Sequence, residues 1–153
     1  MVKIPLALIL LYVASATYAE GYNRSDFNLH RYKPNTSISL YTGQSCALIN
    51  IDHVVSVKDA YDSGGASWGA AKNESFANDR SNHVPSCGRV NSSKGSAGPK
   101  DFLRRSNDGT GLDYKVIRFC EYVQRYYAVK SEYGLSFDAN GSATFEQCGV
   151  SIS

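Results

Sequence analysis

The stretch CALINIDHVVSV, residues 46–57, holds Leu48, Ile49, Ile51, Val54, Val55 and Val57 in one run of mostly β-branched side chains. Such a run predicts a buried strand. Asp52 and His53 sit in its middle, and that is unusual, because an aspartate is rarely buried unless it is paired. Successive side chains alternate across a strand, so the two should face opposite ways unless the strand kinks. An isolated buried histidine is more often a satisfied core residue than a catalyst. Asp-His alone therefore names no function.

Downstream, Lys58 to Ser63 predicts a helical turn that stops at Gly64-Gly65, and Ser67 can cap a helix from Trp68 to about Asn78, with Ala71 and Phe76 inward. Residues 79–90, broken by Pro85 and Gly88, predict a small hairpin or loop. A short helix is expected near Asn91 to Leu103, interrupted by Gly95 and Gly98. The strongest helix comes last: Val116, Phe119, Cys120, Val123 and Tyr127 form an apolar stripe, Asp113 can cap it and Gly134 ends it. Upstream, residues 20–45 are polar and aromatic without periodicity, and predict an irregular arm. The sum is a small α+β chain with little strand.

The chain has 153 residues, 42% hydrophobic and 20% charged, which suits one domain and excludes a collagenous, coiled-coil or disordered chain. Lys3, the apolar stretch from Ile4 to Ala14 and the small-x-small Thr17-Tyr18-Ala19 predict a signal peptide over residues 1–19. The apolar stretch is shorter than the roughly 20 residues a membrane span needs. Cys46, Cys87, Cys120 and Cys148 follow it, an even number suited to an oxidising compartment. Without CxxC spacing or adjacent histidines they predict disulfides rather than zinc, with all three connectivities open. Sequons begin at Asn23, Asn35, Asn73, Asn91 and Asn140. The net charge of +2 excludes binding of nucleic acid by bulk charge, although residues 80–130 alone carry ten Lys+Arg against four Asp+Glu.

The words around the strand have their own order. IDHVV (51–55), DAYDSGGASW (59–68), FAND (76–79), Asn82, VNSSKG (90–95) and CEYVQRYYAVKSEYGL (120–135) follow one another. Together they resemble the secreted HNH nucleases related to the C-terminal domain of GmrSD-type restriction endonucleases, over roughly residues 46–148. The resemblance implies a ββα-metal core with additional helices, disulfide-stabilised, in a domain spanning 46–153. It assigns His53 as general base and Asp52 as a metal ligand. Asn82 becomes the middle asparagine that orients the base or fixes the hairpin, Asn91 the second metal ligand, and Lys94 a phosphate contact. One divalent cation, Mg²⁺ or Mn²⁺, suits such hard oxygen ligands. Arg89, Lys94, Lys100, Arg104 and Arg105 would then hold a nucleic-acid backbone. The resemblance also favours Cys120–Cys148, which would tie the C-terminal tail to the long helix; Cys46–Cys87 would brace the strand of His53 against the hairpin of Asn82.

The departures from the family pattern are Ser56 for a proline, Ser96 for an aspartate, His83-Val84 for an apolar pair, and Phe102 with Arg104-Arg105 for a tryptophan and paired prolines. The expected function is a secreted, metal-dependent endonuclease acting on DNA or RNA with low sequence specificity. Its rivals are a secreted interaction protein that keeps the fold without turnover, and a metal-free ribonuclease using paired histidines or a histidine with a glutamate. Asn91 bears on the choice, because a glycan on its sequon would remove a metal ligand.

Overall fold

Two short strands, β1 (Ile49–His53) and β2 (His83–Cys87), pair antiparallel in a two-stranded sheet with His53 opposite His83 and Ile49 opposite Cys87. The computed structural model describes residues 21–102 and 114–152. Between the strands lie helices α1 (Val57–Asp62) and α2 (Ala70–Asn78), and after β2 the chain turns at once into α3 (Gly88–Lys94). A further helical turn covers residues 99–102, followed by the long α4 (Phe119–Tyr133) and the short α5 (Ser142–Glu146). The architecture is α+β with little strand. Among the described residues no helix is long and apolar enough to cross a membrane. Residues 1–19, Arg104, Arg105 and Asp113 lie outside the described residues.

The β-branched run is divided between structures. Only residues 49–53 are strand; Val54 and Val55 leave it as wholly buried core residues and Val57 opens α1, where Ser56 caps the helix through Asp59 N–H. Pro85 is tolerated inside β2 because β2 is an edge strand, and its carbonyl accepts Leu40 N–H at 2.8 Å. Ser67 does not cap α2: it ends a 3-10 turn, and Gly69 precedes the helix without a side-chain cap. Phe76 faces the core as expected, whereas Ala71 is exposed. The third helix begins at Gly88, earlier than expected. It ends at Gly95, whose φ of 52° and ψ of −121° suit glycine alone.

The long helix ends at Gly134 in the left-handed conformation, as its sequence implies. Its buried side shares only Val123 with the expected stripe and is formed by Tyr122, Val123, Tyr126, Val129 and Lys130. Tyrosine explains the shift. Tyr122 and Tyr126 bring large rings into the core, and the Tyr126 hydroxyl donates to Asp59 Oδ2 at 2.5 Å. Lys130 Nζ reaches Asp59 and Ser63 in the same buried network, at 3.1 and 2.8 Å.

The arm belongs to the same core as the rest. Phe27 and Tyr41 are 1% and 0% exposed, so the packing has no boundary at residue 46. Both disulfides are closed, Cys46–Cys87 with Cα atoms 5.8 Å apart and Cys120–Cys148 at 5.0 Å. The first straps the entry to β1 onto the end of β2; the second ties the C-terminal segment to α4.

Candidate active site

Strand alternation separates Asp52 from His53 as expected. Asp52 turns inward, where the Tyr41 hydroxyl donates to its Oδ2 at 2.5 Å and Lys94 Nζ pairs with the same oxygen at 3.0 Å. Lys94 is wholly buried and also donates to the His53 carbonyl at 2.8 Å. Burial above all, then the nearby Asp52 charge, pushes the Tyr41 pKa well up, so Tyr41 stays a donor. Lys94 thus corrects an expectation: it is an internal counter-ion that fixes the end of β1 to α3, not an exposed phosphate contact.

His53 turns the other way. Its Nε2 lies 2.8 Å from the Ala77 carbonyl and 3.1 Å from Nε2 of His83, which itself lies 2.9 Å from the same carbonyl. A carbonyl oxygen only accepts, so an unprotonated Nε2 on either ring would face it lone pair to lone pair. Both histidines therefore carry their proton on Nε2 and share the two lone pairs of Ala77. The Tyr32 hydroxyl then donates to His83 Nδ1 at 3.1 Å, committing both nitrogens of that ring. For His53 the assignment leaves Nδ1 as the basic atom. Burial foremost lowers its pKa to about 4, opposed by the Ala77 hydrogen bond and aided by the charges of His83, Arg24 and Lys94. His53 is thus neutral, and able to accept a proton, throughout the physiological range.

Because the folded pKa of His53 lies below its ordinary value of about 6.5, the unfolded chain takes up a proton first as pH falls. The stability it contributes is complete above pH 6.5 and is lost as pH falls to about 4, by about 3 kcal/mol. His83, lowered mainly by burial, adds in the same direction. The urea midpoint should fall steeply over that window, and less steeply in His53→Gln. A midpoint level from pH 6.5 to 4 would contradict the buried neutral pair.

Asn82 is wholly buried and clamps the chain that leaves β1. Its Oδ1 accepts Val55 N–H at 2.8 Å, its Nδ2 donates to the Val55 carbonyl at 3.0 Å, and its own carbonyl accepts Val54 N–H at 2.8 Å. It thereby fastens the chain that leaves β1 to the start of β2, behind His53. Asn91 sits half-buried on α3, and its carboxamide takes no hydrogen-bond partner among the described residues.

Two clefts meet at these residues. One, of about 580 Å³, is lined by His53, His83 and Asn91 together with the arm; the other, of about 290 Å³, by Asp52, His53, Asn91, Ser56 and Ser96. Arg89 is exposed on α3 but lines neither. Lys100 lies elsewhere, on a cavity of about 310 Å³ lined by Asp59, Asp62, Asp101 and Asp138. Among the described residues of the basic middle, Arg89, Lys94 and Lys100 therefore do not share one cleft. Arg24 lines both clefts, though the sequence of the arm singled out no such residue.

The donor set suits one hard divalent cation sparsely. Asp52 and Asn91 line one cleft, but Oδ2 of Asp52 is committed to Tyr41 and Lys94, which leaves Oδ1 and the Asn91 amide oxygen. Among the described residues no group of three or more His, Cys, Asp or Glu could hold a metal.

The sequons divide by burial. Asn23 and Asn35 are exposed. Asn73 is 9% exposed, and Asn140 Nδ2, the atom a glycan would occupy, donates to Tyr126 at 3.3 Å. In native secreted protein, glycopeptide mass spectrometry should find glycans at Asn23 and Asn35 and none at Asn73 or Asn140. Occupancy at the buried Asn73 or at the hydrogen-bonded Asn140 would contradict the packing.

No protein-family model and no solved structure matches the chain. Over 90 residues it is 36% identical to an uncharacterized secreted protein of Arthroderma benhamiae, covering 58% of this chain and 40% of that protein. The chain thus spans less than half the length of that relative. It is a secreted protein, and its two closed disulfides accord with an extracellular setting.

Proposed function

We propose that the chain is a secreted HNH-type endonuclease that hydrolyses phosphodiester bonds of nucleic acid, with His53 as general base. The observation that carries this reading is the pinning of His53 Nε2 to the Ala77 carbonyl, which leaves Nδ1 as the basic atom of a neutral ring that lines a cleft shared with Asn91. The antiparallel pair β1–β2 running directly into α3 supports it, because a ββα unit is what the resemblance implies. Nδ1 would take a proton from water as the new P–O bond forms. The opposite P–O bond then breaks, and the departing oxygen takes a proton from solvent. Asn82 and Lys94 hold the strand end rigid beneath this atom. Asp52 and Asn91 would hold one Mg²⁺ or Mn²⁺. When bound, such a cation neutralises charge on the phosphoryl oxygens.

The Lys94–Asp52 pair favours the second reading, a secreted interaction protein without turnover, because it cancels the one carboxylate that lines the two clefts among the described residues. The paired-histidine ribonuclease is disfavoured by geometry: both Nε2 atoms face one carbonyl and cannot flank a phosphate. Incubating the secreted protein with plasmid and with total RNA separates the three. Cleavage that EDTA abolishes and Mg²⁺ or Mn²⁺ restores supports the nuclease. EDTA-resistant cleavage of RNA alone supports the ribonuclease, and no cleavage of either supports the binder.

A further inference from the structure

The arm supplies every charged side chain that lines the larger cleft: Arg24, Arg31 and Lys33, with His30 beside them and no carboxylate among the lining residues. His30 is paired with Glu74 at 3.1 Å, whereas Arg24, Arg31 and Lys33 are exposed and form no ion pair among the described residues. Three cations without an ion-pair partner among the described residues, on one wall of a cleft that His53 also lines, make a strong local field, although residues 20–79 as a whole hold more acids than bases.

The arm is irregular in backbone yet firmly fastened. Phe27 is buried against Phe76, Asn28 Nδ2 donates to Glu74 at 2.9 Å, and His30 N–H donates to Asn78 Oδ1 at 2.7 Å. Asn78 Nδ2 answers by donating to the Asn28 carbonyl at 3.1 Å. Tyr32 is held between His83, which its hydroxyl reaches, and Arg80, whose guanidinium lies 3.5 Å from the ring centre. The backbone that carries the three cations is therefore ordered before any ligand arrives, so binding would not have to order it.

We propose that this wall is the binding site for a nucleic-acid strand, with Arg24 at the reacting phosphate and Arg31 and Lys33 at its neighbours. Arg24 takes the central place because it lines both clefts that meet at His53 and Asn91. The assignment of the reacting phosphate rests on the nuclease reading; the strand-binding wall does not. The cations identified from the basic middle of the sequence cannot serve instead where Lys94 is buried and Lys100 lies on another cavity.

The test uses fluorescence anisotropy of a labelled 12-nucleotide single strand, as DNA and as RNA, in EDTA so that binding is read without cleavage. The triple variant Arg24→Ala, Arg31→Ala, Lys33→Ala should bind at least about tenfold more weakly. Its slope of log affinity against log salt should be shallower by about 2 units, near 0.7 per lost phosphate contact. Arg118→Ala, on an exposed residue paired with Glu121, should leave both unchanged. Circular dichroism of each variant guards against misfolding. In cleavage assays Arg24→Ala should lower kcat about 10²-fold with little change in KM, and Arg24→Lys should recover part of the loss. A wild-type protein that binds neither strand, or a triple variant with wild-type affinity and slope, overturns the wall. Wild-type kcat in Arg24→Ala overturns its place at the reacting phosphate. Binding that depends on the three cations in a protein that cleaves nothing upholds the wall and sinks the nuclease.

Discussion

Replacing His53 by alanine should lower the rate of phosphodiester cleavage about 10³-fold and leave strand binding in EDTA nearly unchanged. The expectation follows from geometry more than from residue type. Only Nδ1 of His53 is left as a basic atom, since Nε2 is held by Ala77, and His83 is committed at both nitrogens to Ala77 and Tyr32. His83 therefore cannot take over the proton. Single-turnover cleavage of a labelled oligonucleotide measures the effect, with near-ultraviolet circular dichroism as the control for fold. A well-folded His53→Ala protein with wild-type rate would move the base elsewhere. His83→Ala should cost less, because it leaves Nδ1 of His53 in place and removes only the ring packed against it.

The second large effect is on stability. Lys94→Ala should destabilise the fold by about 3–5 kcal/mol, because it leaves the Asp52 carboxylate buried with only Tyr41 to answer its charge. It also deletes the tie from α3 to the His53 carbonyl. Urea denaturation reads the loss directly. The double variant Asp52→Asn, Lys94→Met should recover much of it, since neither buried charge then remains. If Lys94→Ala costs under about 1 kcal/mol, the pair is solvated and Asp52 is freer to hold a cation than its surroundings indicate. The same variant informs the choice between enzyme and inert scaffold, because removing the ammonium leaves the Asp52 carboxylate uncancelled.

Glycan occupancy at Asn91 supplies an independent check on the enzyme reading. The glycan is attached before or during folding, and it cannot share the amide of a half-buried cleft residue with a phosphate-bound cation. Asn91 should be largely unmodified in native material. Near-complete occupancy there would favour the binding protein.

Local chemistry alone foretold a good deal of this protein. The β-branched run located the strand that carries Asp52 and His53, because the preference of such side chains for extended backbone acts within a few residues. Gly134 ended the long helix for an equally local reason, the left-handed turn. The N-terminal stretch and the even cysteine count pointed to secretion, and strand alternation put the acid and the base on opposite faces. Both disulfide pairs were anticipated too, Cys120–Cys148 from the resemblance and Cys46–Cys87 from the brace it would give the strand of His53.

Tertiary structure decided everything that depends on residues distant in the chain. Lys94 read as a phosphate contact in a polar word; it is buried because the Asp52 carboxylate and the His53 carbonyl, far away in sequence, supply the charge and the hydrogen bond that lysine needs to leave water. Tyr122 and Tyr126 turned the face of the long helix because each finds neighbours inside that no periodicity in their own segment records. The arm offered no pattern at all, yet Phe27 and Tyr41 complete the core, and Arg24, Arg31 and Lys33 line one cleft in the folded chain. A sequence displays preferences that act over a turn or a strand. Which side chains share a cleft is set by packing across tens of residues, and the candidate site of this protein lies at that second level.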